Sequence, residues 1–170
     1  MTTLRPASER DVPGLIELAR RSWLSGFVGS APAAFVQEWL AREFERGWYP
    51  RYWQDMTVAD LGGVLLGVVQ PMKDEINGLW VDPSAQGRGI GTALLVHGER
   101  EIASAGYERA WLSCSGFNPK AMRFYLARGY QQVRTETKVR ACGVLEEMFV
   151  YDRPLSRSIG QSRNSASRPI

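Results

Sequence analysis

The sequence predicts one mixed α/β domain: a twisted sheet of about six or seven strands with helices on both faces. Three observations carry this. Strand-like and helix-like segments alternate through the middle of the chain, and strand pairs stand at each end. With 170 residues, 44% of them apolar, there is material for one good core. No repeat or linker interrupts residues 4–155, so this span is expected to be the domain, and residues 156–170 a disordered Ser/Arg-rich tail.

In order, Leu4-Arg5-Pro6 reads as a short first strand. Asp11 is placed to cap a helix with Pro13 in its first turn, and Val12, Leu15, Ile16, Ala19 and Trp23 keep helical spacing. Gly26 and Gly29 are expected to break that helix. A second helix starts near Pro32, carries Phe35, Val36, Trp39, Leu40 and Phe44 on one side, and is expected to end between Gly47 and Pro50. Two β-rich runs, Trp53 to Ala59 and Val64 to Gln70, flank Asp60-Leu61-Gly62-Gly63 and predict a hairpin. A strand over Ile76 to Val81 follows, then a helix over 89–104, a strand over Arg109 to Ser115 and a helix over 118–128 that ends at Gly129. Gln131 to Val139 and Glu147 to Tyr151 are expected to pair as the last strands.

Composition excludes several classes. The longest apolar run, Val64 to Val69, is too short for a bilayer span, and the first residues form no apolar signal segment, so a cytoplasmic protein without a membrane partner is expected. Cys114 and Cys142 make no ligand spacing, and a single His, His97, argues against a His-based metal site, so no metal is expected. The net charge of +3 is accounted for by Arg157, Arg163 and Arg168 in the tail, which leaves the rest near neutral; no nucleic-acid partner is expected.

The chemistry concentrates where a strand meets a helix, at Gln86-Gly87-Arg88-Gly89-Ile90-Gly91-Thr92. Glycines let backbone N–H groups approach an anion, and the helix start adds unpaired donors and a positive dipole end. The combination is a phosphate cradle. It is not a P-loop, because no Lys follows Gly91, and the third glycine comes one residue early for a dinucleotide fingerprint.

Further along stands Asn118-Pro119-Lys120-Ala121-Met122-Arg123-Phe124-Tyr125-Leu126-Ala127-Arg128-Gly129-Tyr130. Together the two segments resemble the GNAT superfamily of acetyl-CoA-dependent N-acetyltransferases. Gln86, Gly89 and Gly91 match its Gln/Arg-x-x-Gly-x-Gly/Ala motif; Asn118, Ala121, Phe124, Tyr125, Gly129 and Tyr130 match its Asn-x-x-Ala-x-x-Phe-Tyr-x-x-x-Gly-Phe/Tyr segment. The resemblance is specific over residues 75–130 and looser over 4–155.

The resemblance implies a GNAT-like domain that moves an acetyl group from acetyl-CoA, as co-substrate, to a primary amine on a small molecule or peptide, by direct attack in a ternary complex. Gly87 to Thr92 would hold the pyrophosphate with their backbone, and Arg88 and Lys120 would add charge. The backbone of Leu79, Trp80 and Val81 would bind the pantetheine arm like an added strand, in a slot opened by a bulge expected at Asn77-Gly78. Asn118 would cap its helix and contact the cofactor. Tyr125 would protonate the departing thiolate, and Glu75, which matches the base of histone-acetylating relatives, would take the amine proton directly or through water. The fifth-strand glutamate of relatives that acetylate ribosomal-protein N-termini is Ser113 here, so that specificity is not expected. Dimers are common in the family, so a homodimer is an expectation too.

Three readings stay open on residues alone. Cys114 offers an acetyl-cysteine route but reads more simply as a buried strand residue, and His97 as an exposed polar one. A non-catalytic acyl-CoA sensor on the same fold would keep the cradle without turnover. For the acceptor, the aromatic region Trp23, Phe27, Trp39, Trp48, Tyr49, Tyr52 and Trp53, with Glu38, Glu43, Glu45 and Asp55 nearby, suits a cationic amine or polyamine.

Overall fold

The computed structural model describes residues 1–156. The expected tail therefore lies, beyond Ser156, outside the described residues. The strands are β1 (Thr3–Pro6), β2 (Thr57–Leu61), β3 (Val64–Met72), β4 (Glu75–Val81), β5 (Arg109–Ser115), β6 (Gln131–Val139) and β7 (Leu145–Pro154). The helices are α1 (Val12–Phe27), α2 (Ala33–Arg42), α3 (Phe44–Tyr52), α4 (Ile90–Ser104) and α5 (Pro119–Leu126). One seven-stranded sheet has the order β1-β2-β3-β4-β5-β7-β6, antiparallel except between β4 and β5. The expected mixed sheet covered on both faces is what the chain forms.

Each face has its own core. On one side α4 and α5 bury Leu94, Leu95, Ile102 and Tyr125 against Val69, Ile76, Leu112 and Tyr151. On the other, α1 and α3 bury Leu15, Leu18, Ala19 and Tyr49 against Val58, Leu65 and Val68. A third, aromatic cluster joins the end of α1 to α2: Trp23 stacks on Phe27 at 4.3 Å and on Trp39 at 3.9 Å, with Phe35 alongside. None of the described helices is long and apolar enough to cross a membrane.

Several local expectations are corrected. Helix α1 runs through Gly26 to Phe27, and Gly29 (φ +87°) is the residue that leaves it. Gly26 sits within the helix because the Asn118 side chain packs where a Cβ would stand. Asp11 makes no side-chain cap bond to α1; its carboxylate accepts from Arg5 at 2.8 Å and from the Ser8 N–H at 2.7 Å. The expected second helix is two, α2 and α3, because Glu43 turns left-handed (φ 44°) between them, and Gly47 and Pro50 lie within α3. Trp53–Asp55 forms a 3-10 turn, not strand, with the Met56 N–H bonded back to the Trp53 carbonyl. The hairpin turns on Gly62 and Gly63 alone (φ +61° and +91°), the left-handed pair that a two-residue turn requires. The last strand is longer than expected, Leu145–Pro154.

Helix α4 approaches the sheet closely because Gly67 faces it: a Cβ there would stand 2.7 Å from Leu94 Cδ1 and 3.0 Å from the Trp80 carbonyl oxygen. Gly67→Ala is expected to destabilise the domain by about 1–3 kcal/mol through overpacking. Gly47→Ala, with open space around its Cβ in α3, is expected to stabilise by about 0.5–1 kcal/mol. Urea unfolding of both variants measures the contrast.

Candidate acetyl-donor site

Strands β4 and β5 separate almost as soon as they meet. They share one register pair, Glu75 with Trp111, and none beyond it. That closed end is pinned by Asp74, whose carbonyl accepts the Trp111 N–H at 3.0 Å and whose carboxylate accepts the indole N–H at 3.1 Å. Two residues later β4 bulges. Gln70 faces Gly78 while Pro71 faces Ile76, so Asn77 is an extra residue in β4. The expected bulge is therefore present, and β4 remains paired to β3 while its other edge opens away from β5.

The opened edge forms a cavity of about 430 Å³. Of the residues expected from sequence, Leu79, Trp80, Val81, Gln86, Gly87, Gly89, Gly91, Thr92, Asn118, Lys120 and Tyr125 line it. Gly87 (φ +75°) and Gly89 (φ +81°) adopt the left-handed backbone that turns the chain into α4. The first helical bond of α4 runs from the Ala93 N–H to the Gly89 carbonyl, so the amides of Ile90, Gly91 and Thr92 have no helical partner. Gly91 admits α5: a Cβ there would stand 3.2 Å from the Phe124 ring. The Gln86 amide donates to the Val81 carbonyl at 3.1 Å and accepts from Lys120. Asn118 caps α5 by accepting the Ala121 N–H at 3.1 Å.

Tyr125 is buried at the cavity wall, edge-on to Phe124 and Tyr130 at 5.2 and 5.8 Å. Burial, with Cys114 beside it, pushes the phenol well above its ordinary range, so it stays protonated at neutral pH. Cys114 is 6% exposed, and burial followed by the nearby Glu146 pushes its thiol up to about 12. A thiol so raised holds its proton and is a poor nucleophile. His97 is half-buried, bonded to the Thr57 hydroxyl at 3.2 Å and to Glu101 at 3.1 Å, rather than a free surface residue.

Three expected residues do not line the cavity. Arg88 is exposed, and the Ile90 side chain is core. Glu75 stands at the closed end of the slot, half-buried. Ile76 and Leu79 pack on the α4 side, which turns Glu75, Gly78 and Trp80 toward α1 and α3. Burial and then the Asp74 charge raise the Glu75 carboxyl above its usual value.

The structure also brings in residues not singled out from sequence. Ser22, Ser25 and Gly26 of α1 form a wall, and their small size at helical spacing was the available signal. Arg128 is the main addition. It lies 3.6 Å over the Phe124 ring centroid, donates to the Phe124 carbonyl at 2.9 Å and holds the Thr92 hydroxyl at 3.0 Å. Arg21 ties α1 to the strand–helix loop through Asp82 at 2.8 Å. Among the described residues, no group of His, Cys, Asp and Glu is arranged to hold a metal ion.

The Acetyltransferase (GNAT) family model matches residues 13–130, and the chain belongs to that family. A mycothiol acetyltransferase from Saccharomonospora viridis is 30% identical over 136 residues, covering 77% of this chain and 39% of that protein. A second, from Sanguibacter keddieii, is 38% identical over 69 residues, covering 41% of this chain and 22% of that protein. The chain thus spans well under half the length of these curated relatives. Among solved structures, a PaiA N-acetyltransferase from Thermoplasma acidophilum in complex with coenzyme A superposes with a TM-score of 0.72 at 19% identity, covering 91% of this chain and 99% of that one. A putative acetyltransferase, YncA, from Salmonella typhimurium with acetyl-CoA gives 0.65 at 18%, covering 96% and 99%.

Arg128 and Arg88 make contrasting tests. Arg128→Ala is expected to weaken coenzyme A binding by about tenfold, the loss of one charge-assisted hydrogen bond. Arg88→Ala should change it by no more than about twofold, as for an exposed charge. Calorimetric titration of both variants with coenzyme A checks this.

Proposed function

We propose that this chain transfers an acetyl group from acetyl-CoA to a primary amine by direct attack in a ternary complex. The observation that carries the reading is the slot itself: an unpaired β4 edge that runs from a buried phenol to a glycine-lined helix start. The amides of Gly87 to Thr92 would hold the pyrophosphate, with Lys120, Arg128 and Asn118 around it. The edge of Leu79 to Val81 would pair with the pantetheine amides.

Four steps follow from this placement. The amine loses a proton, because only its neutral form has the attacking lone pair. Glu75 is the nearest assigned base, but along a strand it lies roughly 12 Å from Leu79, so the proton travels through water. The nitrogen attacks the thioester carbonyl, and the oxyanion is stabilised by an unpaired N–H of β4. The oxyanion then re-forms the carbonyl as the carbon–sulfur bond breaks, Tyr125 delivers its proton to the thiolate, and the surplus proton on the new amide nitrogen returns through water to the tyrosinate. Burial keeps the phenol protonated and so able to donate. Cys114 itself is left out of the pathway.

The Tyr125→Phe variant is expected to lose about 10²-fold or more in kcat, the low end of general acid contributions, with acetyl-CoA affinity preserved. Thiol release measures the first and calorimetry the second; unchanged kcat removes Tyr125 from the chemistry. The pH profile tests Glu75. Its raised carboxyl places the acid limb of kcat/KM above the ordinary glutamate range, because the ionised form is the active one. Asp74→Asn keeps an acceptor for Trp111 while removing the neighbouring charge, so the limb moves to lower pH. Glu75→Gln abolishes it.

A further inference from the structure

A second cavity, of about 160 Å³, lies on the α1/α3 face and shares the Trp80 side chain with the first. Trp48 and Tyr49 of α3, Val68 and Gln70 of β3, and Gly78 and Trp80 of β4 form its walls. Its position follows the order of residues along β4. Glu75 comes first, then Asn77 and Gly78 at this cavity, then Leu79 to Val81 at the donor slot. The β4 residues of this cavity therefore lie between Glu75 and the donor slot along the strand.

The lining has a definite chemistry. It contains no charged side chain. Three of the carboxylates expected near the acceptor have arginine partners. Glu38 pairs with Arg42 at 2.6 Å and accepts the Cys142 N–H, Glu43 pairs with Arg46 at 2.9 Å, and Glu45 is buried beside Arg20 at 3.4 Å. Of the four carboxylates expected to serve a cationic acceptor, none lines this cavity, and Glu38, Glu43 and Glu45 each have an arginine partner. What remains is aromatic and apolar, and of a volume comparable to the roughly 150 Å³ apolar cavity known to admit a benzene ring.

One polar group breaks this surface. Gln70 is 3% exposed. Its Oε1 accepts both the Trp48 indole N–H at 2.9 Å and the Asn77 amide at 3.2 Å, which fixes the orientation of the amide. Its Nε2 is buried with no hydrogen-bond partner. With that atom shut off from solvent, Gln70 acts as part of the packed wall and holds Trp48 and Asn77 in place.

We infer that the acceptor is an amine carrying one uncharged, ring-sized apolar group, seated between Trp48 and Trp80. This rests on the acetyl-transfer reading and names its substrate class.

The test measures binding to the coenzyme A-loaded protein by calorimetry, with tyramine, 2-phenylethylamine, butylamine and spermidine as probes. Tyramine is expected to bind about tenfold more tightly than butylamine or spermidine, the ring being the difference. 2-Phenylethylamine, which carries the same ring, is expected to share this preference. Trp48→Ala removes the ring preference. Gly78→Ala provides a second variant, because its Cβ meets only Gln70 Cβ and Trp80 Nε1, both at 3.8 Å, so a methyl group enters the cavity without displacing a neighbour. Equal or tighter spermidine binding, or a tyramine affinity untouched by both Trp48→Ala and Gly78→Ala, overturns the inference. Thiol release is read separately. Turnover of butylamine or spermidine without a tyramine preference in binding overturns the subsite alone. Selective tyramine binding with no thiol release from any amine overturns acetyl transfer and supports the subsite.

Discussion

The site depends on one interruption of hydrogen bonding. A parallel ladder between β4 and β5 would satisfy both edges of β4 and leave nothing to offer a ligand. The chain permits a single pair, at Glu75 and Trp111, and then separates the strands. Two features hold that geometry. Asp74 fastens Trp111 through main chain and side chain at the closed end, and the extra residue Asn77 turns β4 away immediately afterwards. Backbone groups in a sheet interior must find partners somewhere. On the β3 side, Leu79 to Val81 have them; on the β5 side they face a cavity. A peptide-like amide chain is the natural complement of such an edge.

The surrounding packing serves that opening. Glycine is used where two surfaces must close around it: Gly67 and Gly98 let α4 settle on β3 and β4, and Gly91 lets Phe124 reach the start of α4. The aromatic stack of Trp23, Phe27 and Trp39 fastens α2 to the end of α1, while the Arg21–Asp82 pair fastens α1 to the loop. Tyr130, the last residue of the matched segment, is structural: its hydroxyl donates to buried Glu99 of α4 at 2.9 Å, where Arg153 also arrives. The segment that carries Tyr125 is thus held against α4 by polar contacts inside the core, which keeps the phenol at the cavity wall.

Legibility in the sequence followed locality. The succession of elements in the middle, β5 and β6 to the residue, the bulge at Asn77 and the glycine turn before α4 were readable because each is written within a few adjacent residues. The α2–α3 break was not, because it turns on Glu43 in a left-handed conformation that its side chain does not advertise, and because Pro50 is tolerated inside α3. Cavity walls contributed from afar were likewise hidden. Ser22, Ser25 and Gly26 come from an element far from the cradle in sequence, and Arg128 follows the helix it was expected to end. Arg88, beside the glycines, was the obvious cation, but the left-handed turns at Gly87 and Gly89 leave its side chain in solvent.

At the proposed acceptor end, neighbours decide what composition leaves open. Seven aromatic residues and four acidic ones between α1 and β2 look like one cation-binding surface when counted together. The fold sorts them. Trp23, Phe27 and Trp39 join the stack beneath α2, away from the second cavity. Trp48 and Tyr49 turn toward Trp80. The acidic side chains of α2 and α3 meet Arg42, Arg46 and Arg20, or a backbone N–H of the loop between β6 and β7. A carboxylate already paired offers little to an incoming ammonium ion, since binding it would mean breaking the first pair. The aromatic rings carry no such prior commitment on the side that faces the cavity. On the proposed reading, selectivity at this end then comes from the shape of the aromatic walls.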